Sequence, residues 1–180
     1  MGIDRYYQGL PCEAELLRLA HDDKDVAEDM LFPILLLGNP LGRVHWLQEE
    51  RYAPLRGFCA QYPDLDKWHH SPRSRMRGAF ALISAINADA GPNLHESELE
   101  KTLGYQIVLG YEVFSARFNS TVGIPVRVSP PKFVKDCAIY CQAVDRDLIP
   151  EGLKEDFDDL ANFYQMIASH GNLAVFVMED

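Results

Sequence analysis

The chain has 180 residues, of which 47% are hydrophobic, 11% aromatic and 24% charged. A domain of that length buries roughly 70% of its unfolded surface, and the composition excludes a disordered chain. The net charge of −10 speaks against a general nucleic-acid or anionic-membrane surface, because both need clustered Lys and Arg.

The opening residues carry Asp4 and no apolar run, which reads as no secretory leader, and a cytoplasmic location is expected. Cys12, Cys59, Cys137 and Cys141 form neither a dense framework nor a CxxC pair, so free thiols are expected. Ile3 to Leu10 predicts a strand rich in aromatics, stopped by Gly9 and Pro11. Helical spacing follows in Pro11–Asp22 and again in Asp25–Leu31, where Phe32 ahead of Pro33 predicts an early end. Residues 42–53 read as a helix through Val44, Leu47 and Tyr52, with Pro54 as its stop.

Ser71-Pro72 reads as a helix start, with Ser as N-cap and Pro at the first helical position. Met76, Ala79, Phe80, Leu82, Ile83 and Ile86 supply its apolar stripe, and Ala90-Gly91-Pro92-Asn93 closes it. A short acidic helix is expected over Glu96–Leu103. Residues 105–114 alternate with period two and predict a strand, with Gly110 as a bulge. Ile124–Val128 reads as an edge strand because of Pro125. Ser129-Pro130-Pro131 opens a helix to about Val144.

The last third is acidic: Asp145, Asp147, Glu151, Glu155, Asp156, Asp158 and Asp159 stand against Arg146 and Lys154. That pattern suits a solvated helix face or a docking surface for a basic partner. Leu153–Ser169 predicts a long helix with Phe157, Leu160, Tyr164, Ile167 and Ala168 on its buried stripe. Gly171 follows as its C-cap, and Leu173–Met178 reads as a fully buried strand. Together these elements predict one α+β domain over residues 1–180. A small sheet containing both terminal strands packs against several helices as a single pair of layers.

Three stretches resemble the YfbM-like family of uncharacterised bacterial proteins, a domain of unknown function. They are Met1-Gly2-Ile3 with its aromatic strand, Val128-Ser129-Pro130-Pro131-Lys132-Phe133-Val134, and Leu160–Met178 with its Phe-Tyr pair, His-Gly-Asn and terminal strand. A fourth, Asp64-Leu65-Asp66-Lys67-Trp68-His69, is similar to the family's Asp-Leu-Asp-Lys-x-Trp-His, one residue shorter before Trp68. The resemblance implies an α+β fold and a cytosolic bacterial setting, and it implies no activity.

Walker, GxGxxG, GxSxG, HExxH and zinc-finger patterns do not occur in the sequence. Asp64, Asp66, His69 and His70 are the candidates for acid–base chemistry, since carboxylate–histidine pairs move protons when the geometry is right. Ser71, Arg73 and Arg77 are the candidates for anion binding at a helix N-terminus, with Asp64 and Asp66 as alternative partners for the arginines. Cys137 and Cys141 share one helix face and are expected in the core, with no metal and no cofactor. The leading expectation is a non-catalytic binding or regulatory protein, of the immunity type, with a protein partner or small anion and neither nucleic acid nor membrane. The alternative is a small hydrolase or transferase working through residues 64–70 and the adjacent arginines.

Overall fold

The computed structural model describes residues 4–72, 76–87, 96–115, 118, 123 and 125–179, the first two residues of the helices beginning at 76 and 96 by backbone alone. The closing turn expected at residues 90–93 lies outside these. Strands β1 (Asp4–Leu10) and β5 (Leu173–Glu179) pair antiparallel along their whole length, with Asp4 opposite Glu179 and Leu10 opposite Leu173. Both are rich in aromatic or β-branched residues, which fit a pleated and buried surface. The two ends of the chain therefore share one sheet, as the sequence predicts, and the structure puts the C-terminal strand at its centre with β1 beside it. β2 (His69–His70) adds outside β1, while β4 (Arg127–Ser129) and β3 (Glu112–Val113) continue beyond β5. The order is β2-β1-β5-β4-β3, and every pairing is antiparallel. β4 is thus interior rather than an edge. Pro125 precedes it, so the missing N–H costs the strand nothing.

Strand alternation assigns Arg5, Tyr7 and Gly9 to one face of β1 and Tyr6, Gln8 and Leu10 to the other. The first face receives α8 (Pro131–Ala143) and α9 (Lys154–Ser169), with Phe163 5.7 Å from the Tyr7 ring and Tyr164 6.3 Å from Phe176. Gly9 lets α9 approach, because a Cβ there would stand 2.5 Å from Ile167 Cγ2. The second face receives α3 (Phe32–Leu37), which packs on β1 and β5. Helices therefore flank the sheet on both sides, adding a layer to the pair expected. On α9 the stripe is Phe157, Leu160, Tyr164 and Ile167 as predicted, all buried, together with Phe163 and Asp156.

Several helix boundaries differ from the sequence reading, each for a local reason. After α1 (Glu15–Asp22) and α2 (Lys24–Val26), a π turn over Ala27–Leu31 carries the chain directly into α3, so the helical path passes through Pro33. Phe32 N–H bonds back to Ala27 O, a wider turn just upstream of Pro33, which lacks a donor. Residues 45–48 and 50–52 form short 3₁₀ turns, and Pro54 sits in the first turn of α4 (Ala53–Gln61) instead of ending a helix. Pro72 is not helical, and α5 is described as Met76–Ile86, with Ala79, Leu82, Ile83 and Ile86 buried but Phe80 exposed.

The largest correction concerns residues 105–114. After α6 (Glu96–Leu99) they form α7 (Leu103–Leu109), capped by the Thr102 hydroxyl accepting from Tyr105 N–H, and only Glu112–Val113 is strand. Tyr105, Ile107, Val108 and Leu109 are all buried, and in a short run whose one polar residue is Gln106, period two and period 3.6 are hard to tell apart. Gly110 is the helix stop, not a bulge: its φ is +98°, and a Cβ there would lie 2.7 Å from Arg127 Cβ. Ser129, expected as the cap of α8, belongs to β4, and its hydroxyl accepts from Tyr111 N–H at 3.2 Å.

Candidate functional site

Of the candidate acid–base residues, Asp66 and His69 lie together around Gly38, where a Cβ would meet Asp66 Oδ1 at 2.7 Å and His69 Cβ at 3.1 Å, while His70 stands apart from them. His69 and His70 are neighbours in β2, so their side chains leave the sheet on opposite faces. His69 stacks on Tyr6 with ring centroids 5.9 Å apart, and its Nε2 donates to Leu35 O at 3.2 Å. Burial lowers its pKa. Asp66 accepts from Asn39 N–H at 2.8 Å and pairs with Arg43 at 3.0 Å, while Asp64 pairs with Lys67 at 2.7 Å. These carboxylates, expected beside Arg73 and Arg77, are thus engaged by Arg43 and Lys67. Arg73 lies outside the described residues, as does the side chain of Arg77; Ser71 is exposed ahead of α5.

His70 enters a different set. It faces Tyr7 across the β1–β2 pair, 5.6 Å between centroids, and Phe163 of α9 at 6.2 Å. Arg5, Tyr7 and Asp156 are buried, and the Arg5 guanidinium lies 5.9 Å from the Tyr7 ring centre. Burial lowers the His70 pKa, with Arg5 adding to the effect and Asp159 and Asp156 opposing it. His70 Nε2 and Asp156 Oδ2 are buried without a hydrogen-bond partner among the described residues. The sequence did carry a signal for Asp156: it is an acid four residues before Leu160, on the helix stripe that is otherwise apolar. Arg5 carried a similar one, alternating with Tyr7 in a strand.

Cys137 and Cys141 face the core beside Tyr164. Burial raises the Cys141 thiol to about 12 and the Cys137 thiol further still. Cys59 is likewise buried, at about 11, and all four cysteines are free thiols. Among the described residues no group of three His, Cys, Asp or Glu could hold a metal ion.

Concave surface occurs where α1, the π turn and α4 meet. A groove of about 430 Å³ there has Leu16, Leu19, Met30, Phe58 and Tyr62 in its lining, with Glu13 and Glu15 among its few polar groups. Leu19 is 40% exposed. A second cleft of about 530 Å³ shares Glu13, Ala14 and Glu15 and extends to Arg18, His21 and Phe114. Sequence reasoning missed this site. Its one signal was Leu19, an apolar residue between Arg18 and Ala20 that falls off the buried stripe of Leu16, Leu17 and Ala20.

No family model and no curated protein matches the chain. The chain is similar to YfbM, a protein of unknown function from Escherichia coli whose crystal structure is known. The two share 10% identity with a TM-score of 0.49, over 97% of this chain and 99% of that one. No helix among the described residues is long and apolar enough to cross a membrane.

Proposed function

We propose that this is a non-catalytic binding protein, of regulatory or immunity type, that docks a protein partner in the groove between α1, the π turn and α4. The observation that carries this reading is the lining of that groove. An apolar floor with a few polar groups at its rim is the usual make-up of a recognition pocket, and its volume falls in the common range of roughly 300–1,000 Å³. The π turn that supplies Met30 adds support, since such turns recur at functional positions. The placement of His69 and His70 on opposite sheet faces, with Asp64 and Asp66 in ion pairs and His69 bonded to Leu35, favours binding over a hydrolase or transferase centred on residues 64–70.

A peptide array probed with the wild-type protein and with Leu19→Glu tests the reading. Leu19 is exposed enough for the variant to keep its fold, which circular dichroism verifies. Sequences retained by the wild type and lost by the variant are expected. Identical patterns from the two proteins would remove the groove as the docking site.

A further inference from the structure

We infer that the groove receives a polypeptide segment in which one apolar side chain, of leucine, methionine or phenylalanine size, stands next to lysine or arginine. This rests on the binding reading above and names the chemistry of the partner at the same site. No lysine, arginine or histidine lines the groove, whereas Glu13 and Glu15 do. The Cys12 thiol donates to the Glu13 carboxylate at 3.1 Å, and this bond lowers the Glu13 pKa. Glu15 is paired with Arg18, which lines the second cleft and not the groove. A cation arriving from the groove therefore meets Glu13 directly, whereas both carboxylate oxygens of Glu15 are held by Arg18. Carboxylates over an apolar floor, in a chain of net charge −10, attract a basic segment and repel an acidic one.

The apolar part of the segment is fixed by the floor. Met30 is half-buried in the π turn, and an unbranched thioether accommodates side chains of varied shape. Leu19 stands beside it, 40% exposed on a helix face otherwise made of Glu15, Arg18 and Asp22. A polypeptide suits the site better than a compact small molecule. The groove and the second cleft share Glu13, Ala14 and Glu15, so a segment can run from one to the other, its cation at the groove end because Arg18 and His21 line the second cleft.

Fluorescence anisotropy on the full chain with three labelled peptides of equal length tests the inference. One carries a leucine between lysines, one has serine for that leucine, and one has glutamates for the lysines. The leucine–lysine peptide is expected to bind about tenfold more tightly than either of the others. Leu19→Arg is expected to abolish that preference, and Leu148→Arg, at an exposed position outside the groove, to leave it intact. Equal binding of the leucine–lysine peptide to wild type and Leu19→Arg would overturn the groove as its site. Preference for the glutamate peptide, or binding of none of the three, would overturn the partner chemistry. The peptide array decides the wider binding reading separately, because its sequences are not limited to this chemistry.

Discussion

His69 and His70 are adjacent in sequence and end up on opposite sides of the sheet, one against Tyr6 and Leu35, the other against Tyr7 and Phe163. The residue types were legible in the sequence, but their separation was not, because a two-residue strand has no periodicity to read. Both rings share one property, a pKa lowered mainly by burial. An unfolded chain gives histidine a value near 6.5, so the folded state resists protonation more than the unfolded state does. The stability this contributes is complete above about pH 6.5 and is lost as the pH falls through that value toward the folded pKa. The urea midpoint is therefore expected to drop between about pH 7 and pH 5.5, a window above the ordinary carboxylate range. A His69→Gln, His70→Gln double variant is expected to lose most of that slope. An unchanged slope in the double variant would place the titrating groups elsewhere.

At the scale of elements, two of the glycines that follow helices, Gly110 and Gly171, differ in what they do. Gly171 ends α9 with φ +70° and has nothing within 4 Å of a notional Cβ, so only its backbone conformation demands glycine. Gly110 ends α7 with φ +98° and ψ 153°, a region almost confined to glycine, and its Cβ would also meet Phe176 Cδ2 at 2.8 Å. Gly110→Ala is expected to cost about 1–3 kcal/mol for the backbone alone, with the collision against Arg127 and Phe176 added. Gly171→Ala is expected to cost only about 1–2 kcal/mol. Equilibrium denaturation of both variants checks the order, and equal losses would mean that the close approach at Gly110 relaxes freely. The strand predicted across this region failed for a related reason. Residues 105–109 are apolar except for Gln106, so their sequence carries burial with little direction, and the capping Thr102 and terminating Gly110 were the better guides to a helix.

Across the whole molecule, the parts most legible in the sequence were those with a clear polar–apolar contrast. The α9 stripe was of this kind, and the terminal strands, marked by aromatic and β-branched residues, were placed correctly in one sheet. Positions fixed by tertiary context were not legible: the π turn that admits Pro33, the interior place of β4, and the meeting of α1 with α4 that forms the groove. A groove belongs to no single element, and of its lining only Leu19 left a trace in the local pattern. Hydrogen exchange with and without a saturating leucine–lysine peptide tests the central claim most directly, because it reads the site without any substitution. Slower exchange is predicted in residues 13–31 and 53–62, with β1 and β5 unchanged. Protection confined to other segments, or no protection at all while the peptide is bound, would contradict the account.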